Sequence, residues 1–156
     1  MSAKLEKNMR DRVFAEIESE KGFYIGDICY AMQDELYDEI WCGKYHFNDG
    51  YFEIPGSMLW FAVGRTAYGD GVYEGSNGLV FPVDAGVIGV LPLELCKENR
   101  DEYSDCGLII DESGTVAFES EDGVFEIELP DENRFTIDTK YEDEEDADSW
   151  WEEDDE

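Results

Sequence analysis

Short apolar runs separated by glycine and acidic residues recur along most of the chain. Residues 13–18 alternate apolar and polar side chains, which is the period of a strand with one buried face. The run at 58–63 is apolar throughout and the run at 87–95 is apolar except for Glu94, and both predict buried strands. Shorter strands are predicted at 108–110, 115–118, 124–129 and 135–137. This rhythm predicts an α+β fold that is mainly antiparallel β, a sandwich or curled sheet, with one short amphipathic helix packed on it.

That helix is predicted from residue 34 to about 42, with Asp34 as its cap and Gly43 at its end. Its apolar side chains recur with helical spacing: Leu36, Tyr37, Ile40 and Trp41. We expect this face to pack against Trp60 and Phe61 in the strand at 58–63. The opposite face carries four acids: Asp34, Glu35, Asp38 and Glu39.

Three glycine-containing segments predict turns. Asn48-Asp-Gly predicts a hairpin between strands at 45–47 and 51–54. The glycine-rich residues 68–78 predict a turn region between strands, and Glu121-Asp-Gly predicts a tight turn near the end of the sheet.

The net charge of the chain restricts its possible partners more than any motif does. The 156 residues contain 41 acids, 11 Lys or Arg and one His, for a formal net charge of −30. Such a chain repels phosphate backbones and anionic membranes, so we expect neither nucleic acid nor membrane as a direct partner. Its 42% apolar content nevertheless suits a folded domain. We divide it into an acidic β-rich domain at 1–139 and an acidic tail at 140–156 that contains Trp150 and Trp151.

The cysteines and the single histidine carry little chemistry. No C-x-x-C pair occurs among the four cysteines, which argues against structural zinc, and no apolar leader precedes residue 12. We therefore expect a cytoplasmic protein with reduced thiols. His46 lies beside a predicted turn, and no glycine elbow accompanies any serine, so we expect no nucleophilic catalysis.

Three aspartates beside glycines form the one candidate site for chemistry. If the fold brings Asp27, Asp70 and Asp84 together, they could hold a divalent cation or act as an acid/base pair. The alternative is that aspartate and glycine are simply what turns require. Otherwise we expect no cofactor.

Three segments also resemble a group of small bacterial and phage proteins without an established activity. The matching segments are YIGDICY at 24–30, TAYGDGVY at 66–73 and VDAGVIGVLPLEL at 83–95. Ile28 stands where the group has proline. The resemblance spans about 23–96 and implies a single domain in a prokaryotic or phage setting.

The leading functional hypothesis is a non-enzymatic acidic protein that occupies a basic surface on a partner protein. Nucleic-acid mimics, phage inhibitors and immunity proteins are of this kind, so the expected partner is a basic protein, foremost a nucleic-acid-binding one. The alternatives are an enzyme built on the three aspartates and an assembly protein whose acidity serves solubility. For partner binding we single out the four helix acids together with Trp150 and Trp151.

Overall fold

The structure, a computed structural model, describes residues 12–139, in which the strands form two antiparallel sheets and a separate hairpin. The tail at 140–156, with Trp150 and Trp151, lies outside the described residues. The strands are β1 (Val13–Ser19), β2 (Phe23–Gly26), β3 (Gly50–Ile54), β4 (Leu59–Arg65), β5 (Gly71–Glu74), β6 (Val80–Val83), β7 (Val87–Pro92), β8 (Gly107–Ile110), β9 (Gly114–Glu121), β10 (Val124–Glu128) and β11 (Arg134–Asp138).

The strands are ordered so that neighbours in sequence often lie in different sheets. One sheet has the order β1-β9-β10-β11, the second has the order β3-β4-β7-β2-β8, and β5 pairs with β6. All of these pairings are antiparallel. The predicted α+β class, mainly antiparallel with a short helix, is confirmed.

The first core lies between the four-stranded and five-stranded sheets. Every second side chain of β1 points into this core, so buried and exposed side chains alternate along the strand. Phe118 and Phe125 meet there with ring centroids 6.0 Å apart. The sheets lie close together where Gly64 faces the buried Ser120, since a Cβ at Gly64 would overlap the serine hydroxyl.

The second core covers the other face of the five-stranded sheet with helices. These are α1 (Ile28–Ala31) and α2 (Asp34–Leu36), and α2 continues as a π-helical segment (Tyr37–Lys44). Trp41 is 1% exposed and packs in this core with Phe61. Its indole Nε1 donates to the Asn48 carbonyl at 2.8 Å.

The predicted helix is confirmed in position but differs in detail. Gln33, not Asp34, precedes the first turn, because its side-chain amide donates to the carbonyls of Glu94 and Cys96 and fixes the chain there. After Leu36 the helix widens, so that the Tyr45 N–H reaches back five residues to the Ile40 carbonyl at 2.9 Å.

The predicted packing partners divide between the two cores. Leu36 and Ile40 are half-buried in the helical core with Trp41 and Phe61, as expected. The expected contact with Trp60 is wrong, because adjacent strand residues face opposite sides of the sheet and Trp60 packs on the first core.

The hairpin predicted at Asn48-Asp-Gly is also wrong. His46 and Phe47 have left-handed backbone angles and end the helix, where the Phe47 N–H donates to the Trp41 carbonyl. Backbone groups of 45–47 are thus used by the helix end, and β3 begins only at Gly50. The actual hairpin joins β3 to β4 through residues 55–58.

Two further connections refine the prediction. Within the glycine-rich residues 68–78 the structure places β5, which is part of a hairpin rather than an open turn. The turn at Glu121-Asp-Gly is confirmed, with left-handed angles at Asp122 and Gly123, and the strand predicted at 135–137 is β11, which forms an edge of the four-stranded sheet. Within residues 12–139, no helix has the length and apolar character needed to cross a membrane.

Trp41→Ala should lower the free energy of unfolding by about 3–5 kcal/mol, because it empties the centre of the helical core. Chemical denaturation followed by circular dichroism measures this loss. Tyr68→Ala is the control, since Tyr68 is 51% exposed. An unchanged midpoint for Trp41→Ala would show that the helix does not pack through this residue.

Candidate functional site

The three segments that carry the glycine-flanked aspartates meet at one end of the five-stranded sheet. Asp27 is fully buried, and one of its carboxylate oxygens accepts the N–H of Cys29 at 2.9 Å, which caps α1. The other oxygen accepts the N–H groups of Asp84 and Ala85 at 2.7 and 2.6 Å. Asp27 thereby fastens α1 to the turn between β6 and β7.

The third segment touches the same turn through its backbone. Thr66 holds the Gly69 carbonyl with its hydroxyl at 2.6 Å. A Cβ at Gly86 would lie 3.6 Å from the Gly69 Cα, so the two loops lie against each other. The side chains of Asp70 and Asp84 nevertheless face solvent. Only Asp27 turns its carboxylate into the junction.

The chemistry of this junction is that of a structural clamp. A buried carboxylate that accepts three backbone N–H bonds has its charge compensated by those donors. Within the described part of the chain, no group of three His, Cys, Asp or Glu is placed to hold a metal ion. Asp27 therefore acts here as the cap and turn residue that the alternative interpretation of these aspartates required.

Asp27→Asn should destabilise the fold by about 2–4 kcal/mol, because the amide NH₂ places a donor against backbone N–H donors inside the protein. Asp70→Asn removes the same charge at an exposed position and should change the free energy of unfolding by less than about 0.5 kcal/mol. Denaturant titration of both variants measures the difference. Equal effects would refute the clamp.

The four cysteine thiols are not prepared for nucleophilic attack. Burial, assisted by the charges of Asp27 and Asp84, raises the pKa of the Cys29 thiol. Burial also raises the pKa of Cys96 to about 12 and moves the pKa values of Cys42 and Cys106 upward. A reactive cysteine needs the opposite shift. All four cysteines are free thiols.

The four helix acids lie on the solvent side of the helical layer, as predicted. Each of Asp34, Glu35, Asp38 and Glu39 is exposed. Asp34 lies 3.8 Å from the Lys97 ammonium, a distance at which an exposed pair contributes little.

A larger acidic surface lies on the opposite side of the molecule, on the outer face of the four-stranded sheet. Seven acids point outward from its strands, against two arginines, Arg12 and Arg134. We call this surface the acidic sheet face; its acids are Glu16, Glu18, Glu119, Glu121, Glu126, Glu128 and Asp138.

The register of the strands sets like charges side by side on this face. Glu119 of β9 pairs directly with Glu126 of β10. Directly opposed side chains have Cβ atoms about 4.5–5.5 Å apart, so two carboxylates there repel each other. The Arg12 guanidinium forms an ion pair with the Glu119 carboxylate at 2.7 Å, which offsets part of this repulsion. Among residues 12–139, Glu126 has no ion-pair partner.

An exposed aromatic residue lies in the same row. Phe14 pairs with Glu119 on the β1 side. It occupies an outward position in the alternating pattern of β1 and is 56% exposed. It borders a shallow groove of about 350 Å³ that is also lined by Glu119, Glu126 and Arg134. The face thus combines excess negative charge with one apolar contact point.

Sequence reasoning missed this face, although the signal was present. Two outward positions in each of β1, β9 and β10 carry glutamate: Glu16, Glu18, Glu119, Glu121, Glu126 and Glu128. The turn at Glu121-Asp-Gly joins β9 directly to β10, so Glu119 and Glu126 could have been placed side by side from the sequence. β1 is distant in sequence, and only its pairing with β9 shows that Glu16 and Glu18 share the same surface.

Comparisons with known protein families, with curated proteins and with solved structures find no match for this chain.

Proposed function

We propose that the protein is a non-enzymatic acidic binding protein that occupies a basic surface of a partner protein through its acidic sheet face. The observation that carries this proposal is the direct pairing of Glu119 with Glu126 on a solvent-facing sheet, beside the exposed Phe14. Directly opposed like charges destabilise a sheet. They become favourable when a basic surface covers them.

The charge balance of the domain supports a basic partner. Residues 12–139 contain 28 acids and seven bases, a net charge of −21. Acids along a strand repeat about every 7 Å and neighbouring strands lie about 4.8 Å apart, which gives a dense lattice of negative charge. A groove that binds nucleic acid is complementary to such a lattice. The partner class is therefore a basic, nucleic-acid-binding protein, and the mode of action is nucleic-acid mimicry or inhibition.

The setting we propose is cytoplasmic, and the resemblance implies a prokaryotic or phage protein. Four free thiols suit a reducing compartment. Binding rather than catalysis is supported by the raised pKa values of those thiols and by the backbone bonds that engage the Asp27 carboxylate.

The two acidic surfaces can be separated experimentally. They lie on opposite sides of the central sheet, since the four-stranded sheet packs on one face and the helices on the other. A single flat partner surface therefore covers one of them. We assign the main contact to the acidic sheet face. The helix acids and the tail with Trp150 and Trp151, predicted from the sequence, are proposed as secondary contacts.

The test uses two variants with equal charge change. Glu16→Lys/Glu126→Lys alters the acidic sheet face, and Glu35→Lys/Glu39→Lys alters the helix acids; none of the four glutamates has an ion-pair partner among the described residues. Basic proteins retained by the immobilised full chain at low salt are purified, and their association rates are measured. The sheet variant should slow association about 10-fold or more, and the helix variant less than about 3-fold.

Two controls accompany this measurement. Binding should weaken steeply with salt, and duplex DNA should compete for the captured protein. Binding that is independent of salt, and unchanged by both variants, would contradict the proposed function. Loss in the helix variant alone would place the contact on the helical layer instead.

A further inference from the structure

The turn between β3 and β4 holds an apolar side chain in solvent at a strained position. Met58 is 87% exposed and has a backbone φ of 65°, in the left-handed region. Unbranched and branched side chains alike avoid this region, which glycine and asparagine tolerate. Both the exposure and the strain cost free energy.

The surrounding turn enforces this conformation. The Ser57 hydroxyl donates to the Ile54 carbonyl at 2.8 Å and accepts the Leu59 N–H at 3.0 Å. These bonds bracket Met58 and leave its side chain outside both cores. Strained residues that neighbouring hydrogen bonds hold in place are found most often at functional sites.

Met58 borders a groove of about 670 Å³ at the end of the sandwich. The groove lies between the β3–β4 turn, the end of β1 and the connection from β8 to β9. Leu59 adds to its apolar side. Its acids are Glu18, Glu20 and Glu94.

One of these acids is held in place before any ligand arrives. The nearly buried Ser19 hydroxyl donates to Glu94 Oε1 at 2.6 Å. The same hydroxyl accepts the backbone N–H groups of Lys21 and Gly22, each at 3.0 Å. Its orientation is therefore fixed, and so is the carboxylate it binds. A pre-positioned carboxylate loses less entropy when it binds a cation.

We propose that this groove binds an extended segment of a partner protein in which an apolar side chain neighbours lysine or arginine. The apolar side chain packs on Met58 and Leu59, and the cation lies among Glu18, Glu20 and Glu94. The proposal rests on the proposed function for the statement that the partner is a basic protein. The groove shares Glu18 with the acidic sheet face, and neither the groove variants nor the sheet variant alters that residue.

Charge decides between this occupant and the others an apolar groove could take. A second copy of the chain would bring another −30 against these acids, and an anionic lipid surface would be repelled in the same way. A basic segment gains from the acids and from the apolar contact together.

Two peptides of equal charge test the groove: acetyl-Lys-Leu-Lys-Leu-Lys-amide and acetyl-Lys-Ser-Lys-Ser-Lys-amide. The wild-type protein should bind the leucine peptide about 5-fold or more tightly than the serine peptide. Met58→Asn should abolish this preference and leave the melting temperature equal or higher, since asparagine tolerates the left-handed turn. Calorimetry measures both affinities, and thermal denaturation measures stability.

Matched controls locate the effect. Val72→Asn removes an apolar side chain that is 53% exposed on β5 and should leave the preference intact. Glu20→Gln/Glu94→Gln should weaken both peptides. A preference that survives Met58→Asn, or that Val72→Asn abolishes equally, would overturn the proposal. Dimers that Met58→Asn dissociates would overturn it in favour of self-association.

The two proposals fail separately. The groove predicts that Glu16→Lys/Glu126→Lys keeps the preference for the leucine peptide, whatever that variant does to partner association. Loss of the preference in that variant would reject the groove, whereas unchanged partner association would reject only the acidic sheet face.

Discussion

Repulsion between carboxylates is the force that the two apolar cores of this protein must offset. With 28 acids against seven bases in residues 12–139, the folded state concentrates charge that the unfolded chain could spread apart. Two apolar cores oppose this repulsion, one on each face of the five-stranded sheet. Their aromatic side chains are large and well buried, from Phe118 and Phe125 on one side to Trp41 on the other. Eleven of those acids lie on the two outer layers, whereas the strands of the five-stranded sheet contain a single acid, Glu53.

The one fully buried acid among residues 12–139 shows what the fold requires before it accepts a charge inside. Asp27 is tolerated because three backbone N–H groups, from Cys29, Asp84 and Ala85, surround its carboxylate. The outward glutamates of the four-stranded sheet have no such compensation from the backbone. Their placement is costly for the isolated protein and becomes favourable against a basic surface, and this difference is the physical basis of the proposed function.

Local patterns in the sequence predicted the elements well where the pattern alone decides the structure. The alternation of residues 13–18 identified β1, and the spacing of Leu36, Ile40 and Trp41 identified the helix and its buried face. Prediction failed where distant residues decide. Gln33 rather than Asp34 precedes the helix, because its side chain donates hydrogen bonds to the carbonyls of Glu94 and Cys96. The expected hairpin does not form, because Trp41 binds the Asn48 carbonyl and holds residues 45–48 at the helix end. The β9–β10 part of the acidic sheet face could have been read from the turn at Glu121-Asp-Gly, but the full face exists only once the distant β1 pairs with β9. The roles of Asp27 and Met58 likewise depend on bonds made across the fold.

The free energy of unfolding of Glu126→Gln measures the stability that the acidic sheet face costs the isolated protein. Removing this carboxylate from beside Glu119 should raise that free energy by about 0.2–1 kcal/mol at low salt, with a gain that shrinks as salt rises. Glu98→Gln removes the same charge from an exposed loop and is the control. A larger gain in the free energy of unfolding for Glu126→Gln than for Glu98→Gln would show that the pairing of Glu119 with Glu126 destabilises the isolated protein. A loss of stability in Glu126→Gln, or equal changes in the two variants, would contradict it.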